Sequence, residues 1–429
     1  MSKNSCVIYA PVETMSGYGA RSRDVVRAII ELKQEEWDIK ILPCNWGNTP
    51  MNFIDNNPEW EDLRDLFIPQ LTSQPDIMIW VTIPSEFKRI GKYNIGITAG
   101  IESTIAPAEW VEGCNQVDLV LGSSKHSLEI LKNSKFEKRD KNTNQPIGQV
   151  SWDGDGEVLF EGARLDTYSP SMFSSPLDLD YILEDWCYLY VGHWLPGQLG
   201  EDRKNVGLLI KSFYETFKNT KNPPALILKT SIMSSSYMDR DEIVKRIKEI
   251  KSTVKSNKLP RIYLLHGDFT DAQMNNLYNH GKVKAMVNLT KGEGFGRPLL
   301  EFSLVNKPII TTNWSGHIDF LKPEFTTLLP GNLTNIHPSA ANNMLLKEAK
   351  WFSVDTQQLG FYLKDVYKNY KTYRNKANRQ GYHSRENFSF EKMKEKMGSI
   401  FSNKIPEFPK PVELKLPKLK LPKLNKIEK

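Results

Sequence analysis

The chain of 429 residues is long enough for two packed domains, and its composition, 39% hydrophobic and 25% charged, excludes a disordered, collagen-like or coiled-coil protein. Its formal net charge of +6 gathers at one end: Lys404 to Lys429 holds eight Lys and three Glu, leaving 49 basic and 48 acidic side chains in residues 1–403. A near-neutral body argues against a polyanion-binding face outside that tail. The cysteines Cys6, Cys44, Cys114 and Cys187 stand apart, with no CxxC and no His at metal spacing. They read as reduced thiols, not a disulfide frame. No apolar run reaches the length of a secretory core or a membrane span, so a soluble, cytoplasmic chain is expected.

Short β-branched or aromatic runs alternate with helical patterns, the sequence form of βα units on a parallel sheet. Cys6–Ala10 reads as the first strand and Arg21–Gln34 as its helix. Strands follow at Ile39–Leu42, Ile77–Thr82, Asn94–Thr98 and Leu119–Leu121, with a short helix over Pro107–Asn115. Residues 132–144 are polar, and runs at Gln149–Trp152 and Glu157–Phe160 flanking Asp153-Gly-Asp-Gly156 predict a β-hairpin. The Ser/Pro-rich stretch Tyr168–Pro176 reads as a linker. A second series puts strands at Cys187–Gly192, Ala225–Lys229, Ile262–His266, Ala285–Asn288 and Pro308–Thr311. Its helices are expected over Val206–Phe217, Asp239–Lys251 and Asp271–His280, and through much of Gln357–Lys396. The expected architecture is α/β, with two Rossmann-like doubly wound domains (1–180 and 181–404) facing each other across a cleft. Residues 405–429 repeat a Leu-Pro-Lys unit whose prolines forbid a helix; an extended, disordered tail is expected.

The richest chemistry lies in Lys291-Gly-Glu-Gly-Phe-Gly-Arg-Pro-Leu-Leu-Glu301, directly after a predicted strand. Its glycines permit close approach of a ligand, and Pro298 suits the first turn of a helix. Strand, glycine loop and helix start together aim free N–H groups at an anion, most often a phosphate. Glu293 and Glu301, eight residues apart, can accept paired hydrogen bonds from vicinal hydroxyls of a sugar and a ribose. The plain alternative is a strand–helix turn whose Glu301 merely complements the helix dipole. The loop Gly192-His-Trp-Leu-Pro-Gly-Gln-Leu-Gly-Glu-Asp-Arg-Lys204 ends in two cations at a helix N-terminus, where they oppose the dipole. Either an anionic ligand or solvation explains Arg203 and Lys204, and His193 reads equally as a ligand contact or as packing. Met15-Ser-Gly-Tyr-Gly-Ala-Arg21 lacks the third glycine of a dinucleotide fingerprint. It reads as a turn near a phosphate or acceptor, or as a plain βα turn.

These pieces jointly resemble the retaining nucleotide-sugar glycosyltransferases of the GT-B fold, of the family 4 type, whose signature is two glutamates separated by seven residues. The resemblance extends to Asn313-Trp-Ser-Gly-His-Ile-Asp-Phe-Leu321 and to the Arg203-Lys204 loop. In the first half it covers Gly100-Ile-Glu-Ser-Thr104, Pro107-Ala-Glu-Trp-Val-Glu-Gly-Cys-Asn115, Ser123-Ser-Lys-His-Ser127 and Phe160-Glu-Gly-Ala-Arg-Leu-Asp-Thr167. It implies that Glu301 holds the donor ribose and that Glu293 approaches the donor sugar. Arg203 and Lys204 would neutralise the diphosphate, helped by the backbone of Gly294, Phe295 and Gly296 and of Gly17, Tyr18 and Gly19. Gly267, Asp268 and Phe269 would lie against the nucleobase, and Glu102 near the acceptor. His193 departs from the Arg that many members carry, and the insert at 132–160 is unusual.

No metal or other cofactor is implied. Asp178-Leu-Asp180 has the form of a metal-binding DxD but falls between the domains. Asp153–Gly156 begins like a calcium loop, yet the twelfth position, where a Glu is needed, is Arg164. The implied function is retaining transfer of a sugar from a nucleotide-diphosphate sugar to a glycan, lipid or protein. Two alternatives stand beside it: glycosylation of a modified DNA base, with the basic tail as the sole nucleic-acid tether, and nucleotide-sugar binding without turnover.

Overall fold

Apolar runs separated by amphipathic helices can bury both faces of their strands only in a parallel sheet covered on each side. The computed structural model describes residues 3–47, 49–140, 142–170, 177–232 and 235–409, and it contains two such sheets of six parallel strands each. The first lobe begins with β1 (Asn4–Ala10), α1 (Gly17–Lys33), β2 (Trp37–Pro43) and α2 (Phe53–Asn56). It continues through β3 (Ile77–Val81), β4 (Tyr93–Thr98), α3 (Ala108–Cys114), β5 (Leu119–Gly122) and α4 (Lys125–Asn133). Next come β6 (Phe136–Arg139), β7 (Pro146–Val150) and β8 (Gly156–Val158). The sheet order is β2-β1-β3-β4-β5-β8.

The second lobe comprises β9 (Cys187–Val191), α5 (Val206–Phe217), β10 (Ala225–Lys229), α6 (Tyr237–Ser252), β11 (Ile262–Leu265) and α7 (Asp271–Asn279). It goes on with β12 (Val283–Asn288), α8 (Arg297–Leu304), β13 (Ile309–Thr312) and β14 (Thr327–Leu329), in the order β11-β10-β9-β12-β13-β14. The chain then forms an antiparallel pair, β15 (Gly331–Asn335) and β16 (Lys350–Val354), before α9 (Thr356–Lys368), α10 (Tyr370–Asn387) and α11 (Phe390–Lys404). The central strands are apolar throughout, as strands covered on both faces must be; all five residues of β3 are buried.

Two departures from expectation have clear causes. The hairpin expected around 153–156 does not form. β6 and β7 make the antiparallel pair, while β8 joins the main sheet parallel to β5. At the sheet edge Gly156–Val158 pair with Val120–Gly122, and Trp152, 1% exposed, is buried in the core that contains Val120 and Val158, which draws the segment to the sheet. Helix α11, expected within the 181–404 domain, packs Met393, Met397, Ile400 and Phe401 into the core of the first lobe, against α1. The return crossing lies beside the first one, where Phe390 N–H donates to Ala163 O and Ala163 N–H to Phe388 O. Gly162 allows it, since a Cβ there would meet Phe390 Cα at 2.6 Å. Ile405 and Phe408 continue onto the same core, and the rest of the expected tail, 410–429, lies outside the described residues, as do 171–176 of the expected linker. Among the described residues no helix is long and apolar enough to cross a membrane.

Candidate functional site

In the second lobe the strand order reverses between β9 and β12, and in the first between β1 and β3. Loops leaving a parallel sheet at such a point diverge and open a crevice at the carboxyl ends of the strands. There the two lobes enclose a cavity of about 390 Å³. Its walls come from the turn opening α1, from Glu102 and Glu161, from the loops after β9 and β10, and from the segment joining β12 to α8.

The loop carrying the two adjacent cations is held from both sides. Lys291 N–H donates to Arg203 O at 2.7 Å, and the Asp202 carboxylate accepts from Val206 N–H at 3.3 Å, capping α5. Asn205 between them adopts the left-handed conformation that turns the chain into the helix. Lys204 is thereby aimed into the cavity, with Nζ 2.5 Å from Glu293 Oε1. Arg203 points the other way. It donates to Gly292 O at 2.9 Å, pairs with Glu102 Oε1 at 3.0 Å, and stands 3.8 Å from Glu293 Oε2. Burial opposes the charge on Glu293, but Lys204 and Arg203 outweigh it and hold the carboxyl below its ordinary pKa. Burial draws Lys204 down, against the support of Glu293. His193 also lines the cavity, with Nδ1 3.0 Å from Ser231 Oγ; burial, then Lys204 and Lys229, lower its pKa.

Several groups expected at the ligand stand back from the cavity. Glu301 lies behind the wall, with its Oε1 accepting from Arg297 Nε at 2.8 Å, and it is Arg297 that faces the cavity. Burial pushes Glu301 up to about 8, against the pull of Arg297. Gly267, Asp268 and Phe269 flank the cavity at one remove: Lys229, in its wall, donates to Gly267 O at 2.6 Å and lies 4.6 Å from the Phe269 ring centre. Phe295 contributes to the wall, although its ring is 2% exposed and packs on Phe320 in the lobe core. Gly17 and Tyr18 line the cavity, whereas Gly19 serves the turn: its N–H caps on Ser16 Oγ, and a Cβ would meet Thr14 O at 2.2 Å. The expected Asp178-Leu-Asp180 motif forms a local turn, with Asp180 N–H donating to Asp178 Oδ1 at 3.0 Å.

The glycine loop has a second use beyond its helix-capping geometry. Gly296 caps α8 with φ +99°, a conformation that favours glycine. Gly292 and Gly294, however, press on the opposite lobe. A Cβ on Gly292 would meet Glu102 O at 2.0 Å, and one on Gly294 would meet Ala99 O at 2.2 Å. Gly294 O in turn accepts from the hydroxyls of Ser123, Ser124 and Ser127 in the first lobe. Gly294→Ala is therefore expected to hold the lobes apart, giving a larger radius of gyration in small-angle scattering and a lower melting temperature. A scattering profile identical to that of the unaltered chain would refute this role.

Lys229 and Arg297 were not singled out from sequence. A signal existed for each: a Lys ending the otherwise apolar strand Ala-Leu-Ile-Leu-Lys229, and an Arg entering the first turn of α8, where a cation opposes the dipole. Arg297 Nη1 reaches Asp24 Oδ2 across the cleft at 2.6 Å, and Glu161 Oε2 lies 3.9 Å away. With Lys204, Lys229 and Arg297 at its wall, beside the N-terminus of α8, the cavity suits an anion. Glu102 and Glu293, in the same wall, can accept hydroxyl hydrogen bonds.

No protein-family model matches the chain, and no curated protein matches it by sequence. Solved structures do match its fold. A glycosyltransferase from Rickettsia africae ESF-5 aligns with TM-score 0.60 at 14% identity, covering 94% of this chain and 99% of that one. HepE of Anabaena, in complex with UDP and glucose, aligns with TM-score 0.61 at 10% identity, covering 93% and 100%. Sucrose-phosphate synthase from Thermosynechococcus elongatus gives 0.60 at 11%, covering 94% and 99%. At these identities the likeness is one of fold: two facing Rossmann-like domains in the GT-B arrangement.

Proposed function

We propose that the chain is a cytoplasmic retaining glycosyltransferase of the family 4 type, moving a sugar from a nucleotide diphosphate to an acceptor held by the first lobe. The observation that carries this reading is the meeting of Lys204 and Glu293 in one cavity with the N-terminus of α8. The GT-B fold and a structural neighbour bound to UDP and glucose support it. The diphosphate would lie on Lys204, Lys229 and the positive end of α8, where Arg297 N–H is offered, Pro298 has no N–H and Leu299 N–H already donates to Gly296 O at 2.9 Å. Gly267–Phe269 would border the base beyond Lys229, and the ribose hydroxyls would meet Glu301 once Arg297, which stays held at Asp24 through Nη1, releases Glu301 Oε1 from its Nε.

In the transfer step the bond from the sugar's C1 to the diphosphate oxygen breaks and positive charge builds on the ring. The acceptor oxygen bonds to C1 on the same face, and its proton passes to the departing phosphate oxygen. Lys204, supported by Arg203, stabilises the leaving charge, while the Glu293 carboxylate favours the cationic ring. Closure of the lobes excludes water and strengthens both effects. The charge neutralisation is assigned to side chains and helix N–H groups, with no metal ion in the step.

A thermal-shift panel of UDP-, GDP- and ADP-sugars tests the donor. A ligand at about 100 times its Kd adds about 2.7 kcal/mol of stability, so one nucleotide series should raise the melting temperature clearly. Proton NMR of the product should then show the donor's anomeric configuration. A flat panel would remove the donor reading, and an inverted product would remove retention.

A further inference from the structure

A second cavity, of about 360 Å³, adjoins the first and shares Tyr18, Ala99 and Glu102 with it. Its character is different. Trp46 and Tyr18 stack at 4.0 Å with an interplanar angle of 30°, and Trp110, nearly buried, forms another wall. The far side comes from the second lobe, where the excursion between β15 and β16 brings Asn342 and Leu345 over the opening. That excursion is fastened to the first lobe. Thr104 N–H donates to Lys350 O at 2.9 Å, Lys350 N–H donates to Thr104 Oγ1 at 2.8 Å, and Leu345 joins a core containing Trp110 and Ile101. The cavity is thus a built chamber between the lobes, and the Glu102–Arg203 ion pair stands at its passage to the first.

We propose that this chamber is the acceptor subsite and that its occupant is a single pyranose ring, the terminal sugar of a glycoside; the proposal rests on the transfer reading above. An aromatic platform offers a flat apolar face to the C–H face of a sugar. Glu102, Arg203 and Asn342 supply donors and acceptors for the hydroxyls at its edge. A volume of about 360 Å³, at the lower end of the range for ligand sites, fits one ring. Glu102 and Arg203 at the passage pair with each other at 3.0 Å and keep further hydrogen-bonding capacity, which a hydroxylated ring uses and a hydrocarbon does not. A ring stacked on the outer face of Trp46, the one that Tyr18 leaves free, would present one hydroxyl past Glu102 toward Glu293, where a donor C1 would stand. The bond changes are those of the step above, with that hydroxyl as the acceptor oxygen.

The test uses the full chain with the nucleotide sugar that stabilises it. The methyl pyranosides of glucose, galactose, mannose and N-acetylglucosamine are offered beside farnesyl phosphate. At least one hexoside should raise nucleotide release tenfold or more above donor hydrolysis, with a disaccharide product seen by mass spectrometry. Trp46→Ala should raise that hexoside's KM about tenfold, several times more than it alters donor affinity, and Trp46→Phe should restore most of it. Silence from all four hexosides, turnover with farnesyl phosphate alone, or an equal loss of donor and hexoside affinity in Trp46→Ala would overturn the proposal. Should no nucleotide sugar bind, the transfer reading itself falls. Saturation-transfer NMR of the four hexosides on the unaltered chain and on Trp46→Ala then decides whether the chamber holds a sugar.

Discussion

Lys204→Ala is expected to lower kcat for sugar transfer by about 10²–10³-fold, the usual cost of removing one preorganised group from a developing anion. Lys204 is the cation from the α5 loop that lines the first cavity, and its Nζ lies against the carboxylate of Glu293 in the glycine loop. Its loss leaves Glu293 with Arg203 at 3.8 Å and leaves the backbone anchors of the loop intact, so the fold should persist. Initial rates of nucleotide release, with a melting curve as a folding control, measure the effect. A folded variant turning over at the unaltered rate would place the leaving-group stabilisation elsewhere.

Arg297→Leu should destabilise the protein by about 3–5 kcal/mol, the range for removing one partner from a buried ion pair. Asp24, Glu161 and Glu301 are each less than 8% exposed, and all three face this guanidinium. Burial works against the charge on Arg297, and the three carboxylates more than outweigh it, raising its pKa well above the ordinary value. Without it three buried acidic groups share the site with Arg21, whose Nη atoms are already committed to Leu159 O and Phe160 O. Because the pairs come from both lobes, the loss should also loosen the cleft. Urea denaturation followed by fluorescence reads the change, and a midpoint unchanged within error would show that the carboxylates find other partners. Glu301→Gln, which retains an acceptor for Arg297 Nε, should cost much less.

How much was legible depended on how local the cause was. The strand Ala225–Lys229 and the helix Val206–Phe217 have the bounds expected from their apolar patterns, because both answer to neighbours within a few residues. The glycine loop was also legible as a strand-to-helix turn, since Pro298 and Gly296 mark a helix start by backbone geometry alone. The reason for Gly292 and Gly294 was not legible. Their missing side chains make room for Glu102 O and Ala99 O, about 190 residues away in sequence. The same holds for Glu301: its spacing from Glu293 is visible in the chain, but the guanidinium interposed at the cavity wall depends on Asp24 lying opposite.

By itself, then, the order of residues determined two βα series, a phosphate-suited turn in the second and a pair of cations on a neighbouring loop, because hydrophobic period, glycine and proline act on the chain nearby. Only the tertiary structure decided that α11 returns to the first lobe, that β8 leaves a hairpin for the sheet edge, and that Lys204 rather than Arg203 enters the cavity. These outcomes depend on which surfaces two lobes bury against each other. That choice is made by contacts between residues far apart in the chain, which no local pattern records.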